Sequence, residues 1–252
     1  MSIISLRRQS AALLDHGSHP VPSRPIFALA ASAVLLGSAC GAAPAPEPGH
    51  AQGGDHARGP LVHRFEHAEQ WAPEFDDPAR DAWQRPKDVI DAMAIEPGMT
   101  VADIGAGTGY FEPWLSRAVG GAGAVLALDV EPDMVRYLNE RVAREHLAKI
   151  RPALVPIDDP MLPAGGVDRV LIVDTWHHIP DREGYAAKLR SGLKVGGMAF
   201  VVDFKLDAKH GPPPQHRLAA EQVARELAAG GLSSQVAATR LPEQYIVVGT
   251  RL

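Results

Sequence analysis

The stretch V-A-D-I-G-A-G-T-G-Y-F, residues 101–111, sets three alternating glycines behind one aspartate. Gly105, Gly107 and Gly109 let the backbone turn tightly and let a ligand lie against it with no Cβ in the way. A dinucleotide fingerprint would require a glycine at 110, where Tyr110 stands, and the lysine of a phosphate-binding loop is missing. Asp103, directly ahead of the glycines, would repel a pyrophosphate and suits a cationic ligand. Twenty residues beyond Gly109, Asp129 closes the apolar run A-V-L-A-L-D, a position from which a carboxylate can accept both hydroxyls of a ribose. A third carboxylate, Asp158, follows in V-P-I-D-D-P-M-L-P. Alone, each glycine reads as a turn and each aspartate as a helix cap; their joint order carries the functional reading.

The flanking pattern shows what must hold these residues. Apolar runs at 99–104, 124–130, 150–156, 168–174 and 197–204 read as strands, followed by a strand near 234–239 and a closing one, Q-Y-I-V-V-G-T, at 244–250. Between them lie helical segments. In 111–119, Phe111, Leu115 and Ala118 share a face and Gly120 stops the helix; in 131–146, Pro132 occupies the first turn and Met134, Leu138 and Val142 point inward. Further helices are predicted over 181–193 and 219–229. Strands alternating with helices predict an α/β fold with a mostly parallel sheet covered on both faces, its ligands at the carboxyl ends of the strands.

The series D-x-G-x-G-x-G, then Asp129, then Asp158 ahead of Leu162-Pro163, then V-D-R-V-L-I-V-D-T-W-H-H-I, then L-K-V-G-G-M resembles the class I S-adenosylmethionine-dependent methyltransferases, from about Val89 to the C-terminus. The resemblance implies a doubly wound, Rossmann-like sheet of seven strands with the last antiparallel, over a domain at 98–252. It implies S-adenosyl-L-methionine as cofactor, with Asp103 and the glycines 105, 107 and 109 at its methionine end, Asp129 on its ribose and Asp158 on the adenine amino group. It also implies methyl transfer to a small molecule. The alternative is a tethered, non-catalytic module that keeps a nucleoside-type pocket.

On the acceptor side, Asp174, His177 and His178 follow the fourth predicted strand, and Asp174 or His177 could orient or deprotonate a nucleophile. Packing is the competing reading of the two histidines. The segment W-A-P-E-F-D-D-P-A-R-D-A-W-Q-R-P, 71–86, reads as part of an N-terminal helical lid at 61–97 that would bring Trp83, Gln84 and Arg85 over the cofactor, or else as simple packing. His63 and His67 are spaced to share a helical face, but without further ligands no metal site is expected.

Composition limits the rest. The chain has 252 residues, 46% hydrophobic and 22% charged, with a formal charge of -5, which argues against nucleic acid as partner. Its single cysteine excludes an internal disulfide, a Cys-rich zinc site and an iron–sulfur cluster. That residue, Cys40, follows Arg7, Arg8 and Arg24, an apolar run at 26–36 and the small residues Gly37, Ser38 and Ala39. The order is that of a secretory signal at 1–39, and a cysteine at the cut resembles a bacterial lipoprotein signal. Pro, Gly and Ala dominate 40–60, which reads as a flexible tether. The expected address is the cell envelope, lipid-anchored through Cys40, or the cytoplasm where the signal is not used.

Overall fold

The computed structural model describes residues 65–252; the signal segment, Cys40, the tether and His63 lie outside the described residues. The described chain opens with short helices: α1 (Ala68–Phe75), a 3-10 turn at Pro78–Arg80, α2 (Asp81–Gln84) and α3 (Pro86–Met93). An alternating series follows, β1 (Thr100–Ile104), α4 (Glu112–Val119), β2 (Ala124–Asp129), α5 (Pro132–Arg144), β3 (Ile150–Leu154), β4 (Val167–Val173), α6 (Arg182–Gly192), β5 (Leu193–Phe204), α7 (Ala220–Ala229), β6 (Ser233–Val236) and β7 (Gln244–Thr250).

The seven strands form one sheet in the order β3-β2-β1-β4-β5-β7-β6. β1 through β5 run parallel, and β7 lies antiparallel between β5 and β6. β4 and β5 carry consecutive apolar residues, at 170–173 and 198–202, because both faces are covered there. Side-chain alternation sends Ala102, Val170, Ile172 and Val201 to one core, with Leu189 of α6 and Val223 and Leu227 of α7. Val101, Leu171 and Val202 enter the other, with Met93 of α3, Leu115 of α4 and Leu138 of α5.

The sequence-predicted elements all form, with shifted ends. β3 stops at Leu154, not 156, because its neighbour β2 ends at Asp129, the register partner of Leu154. β5 starts earlier, at Leu193, joined to β4 through a register shift between Val167 and Arg169. The chain runs outward along β1, β2 and β3, then returns across the sheet to β4. Adjacent connections therefore leave in opposite directions from β1 and β4, and the crevice that opens there at their carboxyl ends is where such sheets take ligands. Leu171, fully buried on β4, anchors this centre. Leu171→Ala is expected to cost about 2–5 kcal/mol of unfolding free energy, read as a lower denaturant midpoint at unchanged slope.

Candidate functional site

A cavity of 960 Å³ occupies that crevice, floored by the ends of β1, β2, β4 and β5 and roofed by the N-terminal helices. Asp103 reaches it from β1 and is 3% exposed. Burial pushes its carboxyl up to about 7; the neighbouring Glu112 carboxyl opposes the rise, the Asp129 charge adds to it and Arg80 opposes it again. Past Asp103 the backbone enters the left-handed region at Gly105 and Gly109, with φ of 74° and 92°. Space requires glycine there too: a Cβ on Gly105 would lie 2.3 Å from Thr175 Oγ1, and one on Gly109 would lie 2.7 Å from Leu138 Cδ2. The loop is tied to β2 where the N–H groups of Gly105 and Ala106 both donate to the Leu128 carbonyl, at 2.8 and 3.1 Å.

Asp129 ends β2 beside this loop and lines the same cavity. Its Oδ2 accepts from the Gly107 N–H at 2.8 Å and its Oδ1 from the Glu131 N–H at 2.9 Å. Burial raises its pKa and these backbone donors oppose the rise. A carboxylate has about four lone-pair positions, so two stay available for a diol. Asp158 is placed differently. Its side chain is 71% exposed, 3.9 Å from Lys188 Nζ, and the cavity wall after β3 is built by Val155 and Ile157.

At the other end of the cavity, Asp174 follows β4 with φ 51°. Its Oδ1 accepts from Gln244 Nε2 at 2.5 Å and its Oδ2 lies 3.5 Å from the Arg80 guanidinium. Loss of water pushes this carboxyl up to about 7; Arg80 opposes the shift and Asp203 adds to it. His177 stands in the 3-10 turn Trp176–His178, and its Nδ1 lies 3.0 Å from Oδ2 of Asp203, the buried acid near the end of β5. Burial disfavours a protonated His177, but the Asp203 hydrogen bond and the Asp203 and Asp174 charges outweigh it and raise its pKa. His178 also lines the cavity, edge-on to Phe65.

The N-terminal segment covers these groups. Phe65, Trp71 and Phe75 form an aromatic cluster on the cavity. Asp76 ties the segment to the glycine loop and α5, accepting from Thr108 Oγ1 and Arg141, each at 2.9 Å. Of the three lid residues expected from sequence, Trp83 lines the cavity and stacks on His210 at 5.0 Å. Gln84 is instead fully buried, donating to Gln244 Oε1 at 2.5 Å. Arg85 turns away and pairs with Asp88 at 2.6 Å. The cation that the lid brings to the cavity is Arg80, held by Gln84 and the Phe75 carbonyl.

Sequence reasoning missed Asp203, Glu112 and Arg80. Asp203 carried a usable signal, since V-V-D-F repeats the acid-after-apolar-run pattern of V-A-D-I, L-A-L-D and L-I-V-D.

Residues 101–197 match the family described as a methyltransferase domain. The chain is 30% identical over 142 residues to the 2-methyl-6-phytyl-1,4-hydroquinone methyltransferase of Synechocystis, covering 52% of this chain and 42% of that protein. It is 28% identical over 120 residues to the ubiquinone/menaquinone biosynthesis C-methyltransferase UbiE of Bordetella parapertussis, covering 48% and 46%. The match thus spans less than half the length of each of these relatives. A crystal structure of a SAM-dependent methyltransferase from Aquifex aeolicus superposes with a TM-score of 0.68 at 26% identity, over 73% of this chain and 98% of that one. A TehB-like methyltransferase structure from Corynebacterium glutamicum, 18% identical, shares the fold with a TM-score of 0.55 over 74% and 98%.

The Aquifex aeolicus protein is named for its dependence on S-adenosylmethionine, the cofactor that the sequence resemblance implies here. The residues present fit it. Asp103 presents a carboxyl to the cavity with no cationic side chain bonded to it, Asp129 keeps acceptor capacity beside it, and Val130 and Ile157 offer apolar surface between them and the rim. Asp129→Ala is expected to weaken S-adenosylhomocysteine binding at least about tenfold, or ~1.4 kcal/mol, in a calorimetric titration. Unchanged affinity would reject the ribose assignment.

Proposed function

We propose that this chain transfers the methyl group of S-adenosylmethionine to a small, ring-bearing acceptor with an acidic O–H, held between the cofactor position and the His177–Asp203 pair. The observation that carries this reading is the shared cavity: Asp103 and Asp129 line one end and His177 the other, under an aromatic roof. Two relatives are named for hydroquinone and quinone substrates, which agrees with an aromatic acceptor.

When bound, the cofactor supplies an electrophilic methyl on a sulfonium centre. The chain's own part is positioning and proton handling, and in-line displacement gains most from positioning. Asp103 and Asp129 would hold the two polar ends of the donor. Phe65, Trp71, Phe75 and Trp83 would exclude water and pack against a flat acceptor. With its Nδ1–H donated to Asp203, His177 keeps a lone pair on Nε2, which can take the acceptor's proton as the oxygen or the ring becomes nucleophilic. Asp174, held by Gln244 and Arg80, faces the same space and steadies the charge that His177 gains.

The test is S-adenosylhomocysteine formation with hydroquinone and methylhydroquinone as acceptors. Turnover that rises with pH as His177 loses its proton is expected. Because Asp203 raises the His177 pKa, Asp203→Asn should move this acid limb to lower pH and reduce kcat at least about tenfold. An acid limb unmoved by Asp203→Asn would remove His177 as the proton acceptor. Cofactor binding without turnover on any phenolic acceptor would favour the non-catalytic module.

The lipid anchor belongs to the same proposal. Attachment would be through Cys40; none of the described helices is long and apolar enough to cross a membrane. Mass spectrometry of the membrane fraction should find a mature chain beginning at a lipid-modified Cys40. An intact Met1 terminus with an unmodified Cys40 would place the protein elsewhere.

A further inference from the structure

Glu112 opens α4 and is fully buried, an expensive place for a carboxylate. Both of its side-chain oxygens lack a hydrogen-bond partner among the N–H and hydroxyl groups of the described residues. The polar group it meets is the Asp103 carboxyl. Other charges face this pair from three elements: Asp129 from β2 and Arg80 from the N-terminal segment toward Asp103, and Arg141 from α5 toward Glu112. Neither arginine is free to neutralise it. Arg141 donates to Asp76, Glu145 and the Thr108 carbonyl. Arg80 donates to Gln84 and the Phe75 carbonyl and faces Asp174.

Two carboxyls in contact, away from water and without a bonded cation, cannot both ionise; one keeps a proton and donates it to the other. Only Asp103 lines the cavity. Resting on the cofactor reading above, we propose that Glu112 is a neutral carboxylic acid that donates its O–H to Asp103, a positioning residue that leaves Asp103 the sole negative charge meeting the ligand's ammonium group. Burial first, and the Asp103 charge second, push Glu112 well above the ordinary carboxyl range, in keeping with this assignment. Asp103, pushed up to about 7, gains a proton of its own at lower pH. Affinity for an ammonium-bearing ligand should then fall as pH drops below about 7, by up to about tenfold per unit. A ligand without that group should not follow.

The test uses the full chain with two probes, S-adenosylhomocysteine and methylthioadenosine. Both carry the adenosine that Asp129 would hold; methylthioadenosine lacks the amino-acid end. Calorimetry is expected to show Glu112→Gln, which keeps a neutral donor, within about threefold of the wild type for both probes. Glu112→Leu, which has no donor, should lose at least about tenfold for S-adenosylhomocysteine and less than about threefold for methylthioadenosine. Infrared spectroscopy at about pH 9, where Asp103 and Asp174 are ionised, should show the C=O stretch of a protonated carboxylic acid in the wild type, absent in Glu112→Gln. Absence of that band, or loss of S-adenosylhomocysteine affinity in Glu112→Gln equal to that in Glu112→Leu, would overturn the proposal. Failure of the wild type to bind either probe would overturn the cofactor reading itself.

Discussion

A carboxylate shut away from water needs a donor, a cation or a proton, and this domain sets an acid at the end of four strands around one cavity. Three of the four are provided for within the chain. Asp129 is held by two backbone N–H groups, Asp203 by His177, and Asp174 by Gln244 with Arg80 nearby. Among the described residues Asp103 has the Glu112 carboxyl against it, and Arg80 acts on it through charge without a bond. That imbalance would suit a cation at one end of the cavity, whereas the acids toward the other end are already partnered.

The sheet order is what brings these acids together. Because β1 lies between β2 and β4, Asp103 and Asp129 come from neighbouring strands, and Asp174 and Asp203 from the next two. The N-terminal helices complete the enclosure through long-range contacts. Arg80, Gln84, Gln244 and Asp174 form one hydrogen-bonded chain linking the roof to the antiparallel strand and to the cavity floor. Shifting the roof would therefore disturb Asp174 as well as open the cavity.

Much of this could be read in the sequence. Apolar runs between amphipathic helices located β1, β2, β4, β5 and β7, since period and length are local properties. Asp103 and Asp129 could be marked as candidates because each directly follows apolar residues of its strand, and both line the cavity. Glu112 and Arg80 were not, because their importance comes from what they meet: an acid at a helix start reads as a favourable dipole contact, and an arginine in a polar stretch reads as surface. The Gln84–Gln244 bond joins residues 160 positions apart, which no local pattern reveals. Asp158 shows the converse limit, since the resemblance implied a site role for it while its side chain is exposed beside Lys188.

The central claim is that Asp103 and Asp129 hold the two polar ends of an S-adenosyl ligand. A crystal structure of the chain with S-adenosylhomocysteine tests it most directly. The account predicts the ligand's ammonium nitrogen within about 3 Å of an Asp103 oxygen and both ribose hydroxyls at Asp129. A ligand bound with its ammonium away from Asp103, or outside the cavity beneath the N-terminal helices, would contradict it.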